Sequence, residues 1–238
     1  MFSYYGSKSK IVHLYPTPEY DDINEVFAGS ARYSLRFWER NITIVDKYPV
    51  IVEVWKYLQQ ASEKDILSLP VIKKGEKINI HKLSNTENNF LGLIYAMGAA
   101  MPQSKGTSMA TGRNPGRSKT RAGFMIGKTA RDLHKIKHWE IICGDYRDLK
   151  NKDATWFVDP PYQFGGEHYK ESSKNIDFKE LGEWCKSRKG QTIVCENTKA
   201  DWLPFKPMKL MQGTIHKTTE AIWSNLETAF DWQQLSLF

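Results

Sequence analysis

The sequence predicts an α/β fold built on a parallel sheet, and three observations carry that prediction. Two strand–helix units follow one another within the first 60 residues. The same alternation resumes after residue 138 with two more strand-like runs, a helical stretch and a further strand. At 238 residues and 40% hydrophobic, the chain can bury one sizeable core together with an inserted lobe.

In order, "DDINEVFAG" (21–29) reads as a buried strand that ends at a glycine turn. "SARYSLRFWER" (30–40) has helical spacing, with Tyr33 and Phe37 able to share an apolar face with Leu35 or Trp38. "NITIVD" (41–46) is a second strand closed by Asp46. "PVIVEVWKYLQQ" (49–60) opens with Pro49 in a first-turn position and continues as a helix. Strand, helix, strand, helix implies parallel strands with helices packed on them.

The pattern then changes. Residues 62–138 hold one apolar helix, "NFLGLIYAMGAAM", and the stretch "MPQSKGTSMATGRNPGRSKTRAG" (101–123), which has no periodicity and is expected to be a long loop. "WEIICGD" (139–145) resumes the strand pattern and "ATWFVDPPY" (154–162) adds another strand. "DFKELGEWCKSRK" is helical, "QTIVCEN" is a strand, and "PMKLMQG" with "EAIWSN" reads as a closing hairpin. The expected division is therefore 1–61 with 139–230 as one domain, 62–138 as an inserted lobe, and 231–238 as a tail.

Charge is concentrated in the insert. From Met101 to His138 there are nine Lys or Arg and one acid, Asp132, giving +8 out of a net +7 for the whole chain. A basic segment on a nearly neutral body suits phosphate, and hence nucleic acid. No run of 18 apolar residues spans a membrane, and "MFSYYGSKSK" lacks the apolar stretch of a secretory signal. Cys143, Cys185 and Cys195 are widely spaced, and the expected state is buried free thiols in a reducing cytoplasm, with no metal.

The stretch from Asp159 to Tyr162 carries the chemistry. A strand that ends on Asp159 delivers its carboxylate to the crevice at the sheet edge. Pro160 and Pro161 stiffen the turn and contribute no backbone donor, so the Asp159 side chain and the Pro160 carbonyl act as acceptors. Tyr162 adds a flat face. Two acceptors and a ring suit a planar ligand with an exocyclic amine, both of whose hydrogens can be accepted.

On these residues the chain resembles the Dam-like amino-group DNA methyltransferases, whose hallmark is DPPY. "YYGSKSK" (4–10) is similar to their N-terminal Gly-x-Lys box, and "NEVFAGSAR" (24–32) to their Phe-x-Gly cofactor loop. The order of cofactor loop, basic insert, "GDYRDL" and DPPY is the Dam-like order, and the resemblance runs from about residue 1 to 225. It implies a Rossmann-like S-adenosylmethionine-dependent methyltransferase sheet with helices on both faces and an inserted, mostly helical and loop DNA-recognition lobe. It also implies a site-specific enzyme that methylates the exocyclic amine of a flipped adenine in double-stranded DNA. Cytosine or RNA as substrate, or a decayed scaffold that only binds DNA, are the alternatives. The compact, solitary architecture suits a phage or mobile element, working in the cytoplasm of a bacterial cell with or without a restriction partner.

By the same resemblance, Asp159, Pro160, Pro161 and Tyr162 are catalytic. Tyr5, Gly6 and Lys8 would lie over the methionine part of the cofactor, with Phe27, Ala28, Gly29 and Ser30 forming its loop and Asp46 on its ribose. Asp145 is either on the cofactor's adenine side or a turn residue. Glu25 either faces the sulfonium or caps a turn. One departure is Ala31, where the family usually has glycine. Lys105, Arg113, Asn114, Arg117, Lys119, Arg121 and Lys128 are candidate DNA contacts. Gly165, Gly166 and His168 suggest a flexible flap, with His168 on phosphate. Gln234, Leu235, Ser236, Leu237 and Phe238 resemble the pentapeptide by which bacterial proteins dock on the DNA polymerase sliding clamp; alternatively they pack on the chain's own sheet.

Overall fold

The computed structural model describes residues 1–112, 120–212 and 217–226. The strands are β1 (Asp22–Val26), β2 (Asn41–Asp46), β3 (Glu140–Cys143), β4 (Ala154–Val158), β5 (Gly190–Asn197), β6 (Lys206–Gln212) and β7 (Lys217–Ser224). The helices are α1 (Arg32–Arg36), α2 (Pro49–Gln60), α3 (Glu63–Ser68), α4 (Asn85–Ala96), α5 (Ser108–Thr111), α6 (Arg121–Asp132) and α7 (Phe178–Lys186). They fall into two units, one made of residues 8–47 with 144 onward, the other of 1–7 with 48–143.

The first unit is α/β. Six of its strands pair in the order β2-β1-β4-β5-β7-β6. The first four are parallel, and β7 runs antiparallel to both β5 and β6, so the sheet is mixed. This is compatible with a Rossmann-like architecture. The closing hairpin read from the sequence is β6–β7. Val26 lies opposite both Val45 and Val158, and Val158 opposite Val194, so the carboxyl ends of β1, β2, β4 and β5 come level. From β1 the chain goes to β2 on one side and β4 lies on the other. Such a reversal opens a crevice beyond the strand ends.

The core explains why β4 reads as continuously apolar. All five of its residues are buried, because helical segments cover both faces. Alternate side chains go to opposite sides. Phe157 stacks on Tyr33 of α1, with ring centroids 4.2 Å apart, and meets the edge of Tyr15. Trp156 meets Trp184 of α7 edge-on at 5.5 Å.

The second unit is helical apart from β3. α2 buries Ile51, Val54, Trp55 and Leu58 against α4 and β3, which is why residues 48–61 and 139–143 group here with the inserted stretch, not at the boundaries 62 and 138. Trp55 lies between Phe2 and Trp139. The Lys137 ammonium donates to the carbonyls of Gln59 and Ala61 at the end of α2, a good use of a cation at a helix C-terminus. Two expectations are corrected. The stretch 62–138 holds more than one helix, since α3, α5 and α6 join α4, and α5 and the start of α6 lie inside the supposed loop. Cys143 is exposed at the end of β3, while Cys185 and Cys195 are buried free thiols. Among the described residues no helix is long and apolar enough to cross a membrane.

Candidate active site

Asp159 follows β4 directly, and its N–H donates to the carbonyl of Val26 at the end of β1. Pro160 and Pro161 are buried and carry the chain across the sheet edge. The Asp159 carboxylate faces Lys8, whose ammonium donates to Oδ1 at 2.6 Å. Lys8 sits on a short 3-10 turn and is itself buried. Its Nζ is 4.0 Å from Oε1 of Glu220 and 4.8 Å from the centre of the Tyr162 ring. That same Glu220 oxygen accepts from the hydroxyls of Tyr162 at 2.5 Å and Tyr15 at 2.6 Å. Three parts of the chain, around residues 8–15, 159–162 and 220, therefore converge on one polar cluster.

Burial sets the charges. It pushes the Asp159 carboxyl up to about 6; Lys8 pulls it down and Glu220 pushes it further up. Burial alone would lower Lys8, but Asp159 and Glu220 outweigh it and hold the ammonium protonated. Near pH 7 the pair is ionised. The Tyr162 hydroxyl is pushed well up by burial and then by Glu220, and that of Tyr15 by burial first, so both remain donors.

The two residues that follow Tyr162 are hydrogen-bonded to the end of β5. The Gln163 N–H donates to Glu196, and the Asn197 amide donates to the Phe164 carbonyl at 2.9 Å. A Cβ on Gly166 would lie 2.4 Å from the Tyr162 carbonyl oxygen, so this glycine is there for close backbone approach. Burial raises the Glu196 carboxyl to about 7, against the N–H donors of Gln163 and Asn197. His168 is exposed.

The loop between β1 and α1 contains three left-handed residues, Phe27 (φ 57), Gly29 (φ 49) and Ala31 (φ 44). Non-glycine residues in that region store strain, and such strain gathers at ligand sites. Ala31 takes up the conformation in which a glycine was expected. The Gly29 N–H donates to Oδ2 of Asp46 at 2.8 Å, so the acid that ends β2 shapes the loop. Ala28 and Ser30 are buried within it. Glu25 accepts from the Ser34 N–H at 2.7 Å and so caps α1, and burial pushes its carboxyl up to about 7. Beyond the Gly29 N–H, the Asp46 carboxylate keeps acceptor sites that suit a ligand's hydroxyl groups, and Gly29 has no Cβ to keep a ligand from the backbone.

Asp145 caps a 3-10 turn, and Arg147 grips its carboxylate through Nε at 2.8 Å and Nη2 at 2.9 Å, with Lys47 at 3.5 Å. Hydrogen bonding from Arg147 holds its carboxyl below the usual range. Tyr5 and Gly6 belong to the second unit, as do Lys105 and Arg121, both exposed, and Lys128, which pairs with Asp132. Arg113, Asn114, Arg117 and Lys119 lie outside the described residues, as do Gln234 to Phe238. Among the described residues no group of three or more His, Cys, Asp or Glu could hold a metal ion.

Sequence reasoning missed Glu220, Tyr15 and Glu196. Glu196 closes the apolar run of β5 and Glu220 follows Thr218 and Thr219, so no local pattern marked either as a site residue. Fold and site define an α/β chain whose acids and tyrosines gather at the carboxyl edge of parallel strands. No protein-family model matches the chain. No curated protein matches it. A solved structure to which it is similar is a conserved hypothetical protein of Streptococcus pyogenes, at 11% identity and a TM-score of 0.34, covering 84% of each chain.

Proposed function

We propose that this chain is a DNA amino-methyltransferase acting on adenine. The observation that carries the reading is the position of Asp159-Pro160-Pro161-Tyr162 at the sheet's switch point, beside a strained glycine loop tied to Asp46. S-adenosylmethionine, when bound, would supply an electrophilic methyl group. Asp46 would take the ribose hydroxyls, and the loop from Phe27 to Ser30 would pass close to the cofactor. Asp159 and the Pro160 carbonyl accept the two hydrogens of the substrate amine, which steers its lone pair out of the ring. Tyr162 stacks on the base. Holding two reactants in place supplies much of the rate, up to roughly 7–11 kcal/mol in favourable cases. To receive the amine, Asp159 must loosen its hold on Lys8.

The basic insert would grip duplex phosphates, giving salt-sensitive affinity. The terminal Gln234–Phe238 peptide would dock on a bacterial sliding clamp. The test is incubation with labelled cofactor and genomic DNA, then nucleoside analysis. Label should appear in N6-methyladenine. Asp159→Ala should keep DNA binding and lower incorporation roughly 100-fold or more. Near-normal turnover in that variant would refute the assignment, and label in cytosine would redirect it.

A further inference from the structure

If Asp159 turns to a substrate amine, the ammonium of Lys8 has to be held by something else. We propose that Glu220 is a positioning residue of this site: it fixes Tyr162 through its hydroxyl and takes over Lys8 when Asp159 engages the amine. The inference rests on the amino-methyltransferase reading.

Lys8 is bracketed by two carboxylates. Its Nζ is 2.6 Å from Asp159 and 4.0 Å from Glu220, so a movement of ~1 Å converts the longer approach into a hydrogen bond. The lysine and glutamate side chains are only 8% and 7% exposed, so water screens the exchange poorly. A buried cation that loses its partner destabilises the fold strongly, and a second carboxylate avoids that state throughout the exchange. The Cys195 thiol is kept neutral by burial. Two carboxylates and one ammonium leave the cluster with one net negative charge, suited to an amine that becomes cationic as it is methylated.

The second half of the role is steric. Glu220 receives Tyr162 and Tyr15 on one oxygen, from a strand that pairs antiparallel to β5. The ring proposed to stack on the base is thereby fixed at its far end. A merely structural role would ask only for an acceptor for two buried hydroxyls. Glutamine supplies that acceptor without the charge, so Glu220→Gln separates the two.

The test is a mutant cycle on the full chain, read by thermal denaturation at pH 7. Asp159→Asn and Glu220→Gln each leave Lys8 one carboxylate and should lower the midpoint modestly. The double variant should lose more than the sum of the two, and adding Lys8→Met to it should recover most of that loss. A double variant that fails to fold while the triple variant folds counts the same way. Additive losses, or no recovery on adding Lys8→Met, overturn the shared-cation role. In the methyl-transfer assay, Glu220→Gln should keep cofactor affinity and lose at least tenfold in kcat with a smaller change in KM for DNA. Wild-type turnover in Glu220→Gln overturns the positioning role. A wild-type chain that transfers no methyl group would end the functional reading, while the denaturation cycle would still decide whether Lys8 is shared.

Discussion

Glu25→Gln isolates one buried carboxyl and predicts a pH-dependent gain. Glu25 is 3% exposed on β1 and accepts the Ser34 N–H. Burial moves its carboxyl from the ordinary 4.5 up to about 7. The folded state therefore keeps a proton that the unfolded chain gives up between pH 4.5 and 7. Its contribution to stability is full below the unfolded value and is lost as pH rises through the folded one. The move from 4.5 to about 7 is worth about 3.5 kcal/mol, of which about 3 kcal/mol falls between pH ~4 and pH ~8. Glutamine retains an acceptor for Ser34 and cannot ionise. The stability difference between variant and wild type should thus move by about 3 kcal/mol in the variant's favour between pH ~4 and pH ~8. Urea denaturation at the two pH values measures it, and comparing the two proteins cancels the titrating groups that do not interact with Glu25. An equal difference at both pH values would refute the assignment of a near-neutral titration to Glu25.

Gly166→Ala drives a Cβ against the Tyr162 carbonyl and should cost about 2 kcal/mol or more, read as a lowered melting midpoint; an unchanged midpoint would argue against the packed turn. Ala31→Gly removes a Cβ from a left-handed position, which gains ~1–2 kcal/mol there and gives back ~0.5–1 through the freer unfolded chain. Its midpoint should equal or exceed that of wild type, and a clear drop would show that the methyl group packs usefully. Removing residues 234–238 should abolish co-elution with a bacterial sliding clamp, and co-elution that survives would end the docking idea.

Of the parallel strands, β2 and β4 were the most legible, because each is a short apolar run closed by an acid, Asp46 and Asp159. "ATWFV" is apolar throughout because both its faces are covered, and the hairpin of β6 and β7 showed as two runs separated by a short gap. α6 was passed over although its pattern is amphipathic: its buried stripe of Ala122, Ile126, Thr129 and Ala130 is only weakly apolar, its first residues lie in the Gly/Ser/Arg stretch, and Gly123 and Gly127 lower its helix propensity. Cys143 misled because an apolar run predicts burial, whereas β3 buries none of its residues fully. Asp159 and Lys8 could be named from local motifs. Glu220 could not, because its role depends on β7 entering the sheet beside β5, which no local spacing reveals.

The meeting of Lys8, Asp159 and Glu220 has a consequence for biogenesis. A ribosome finishes Lys8 and Asp159 well before Glu220, which comes 61 positions after Asp159 (220 − 159). Until β7 emerges and inserts, the nascent polypeptide owns a lysine–aspartate couple but no clasp for its tyrosines. Closures between such distant parts of a chain form slowly. The pocket should therefore mature late, after the parallel strands have already condensed.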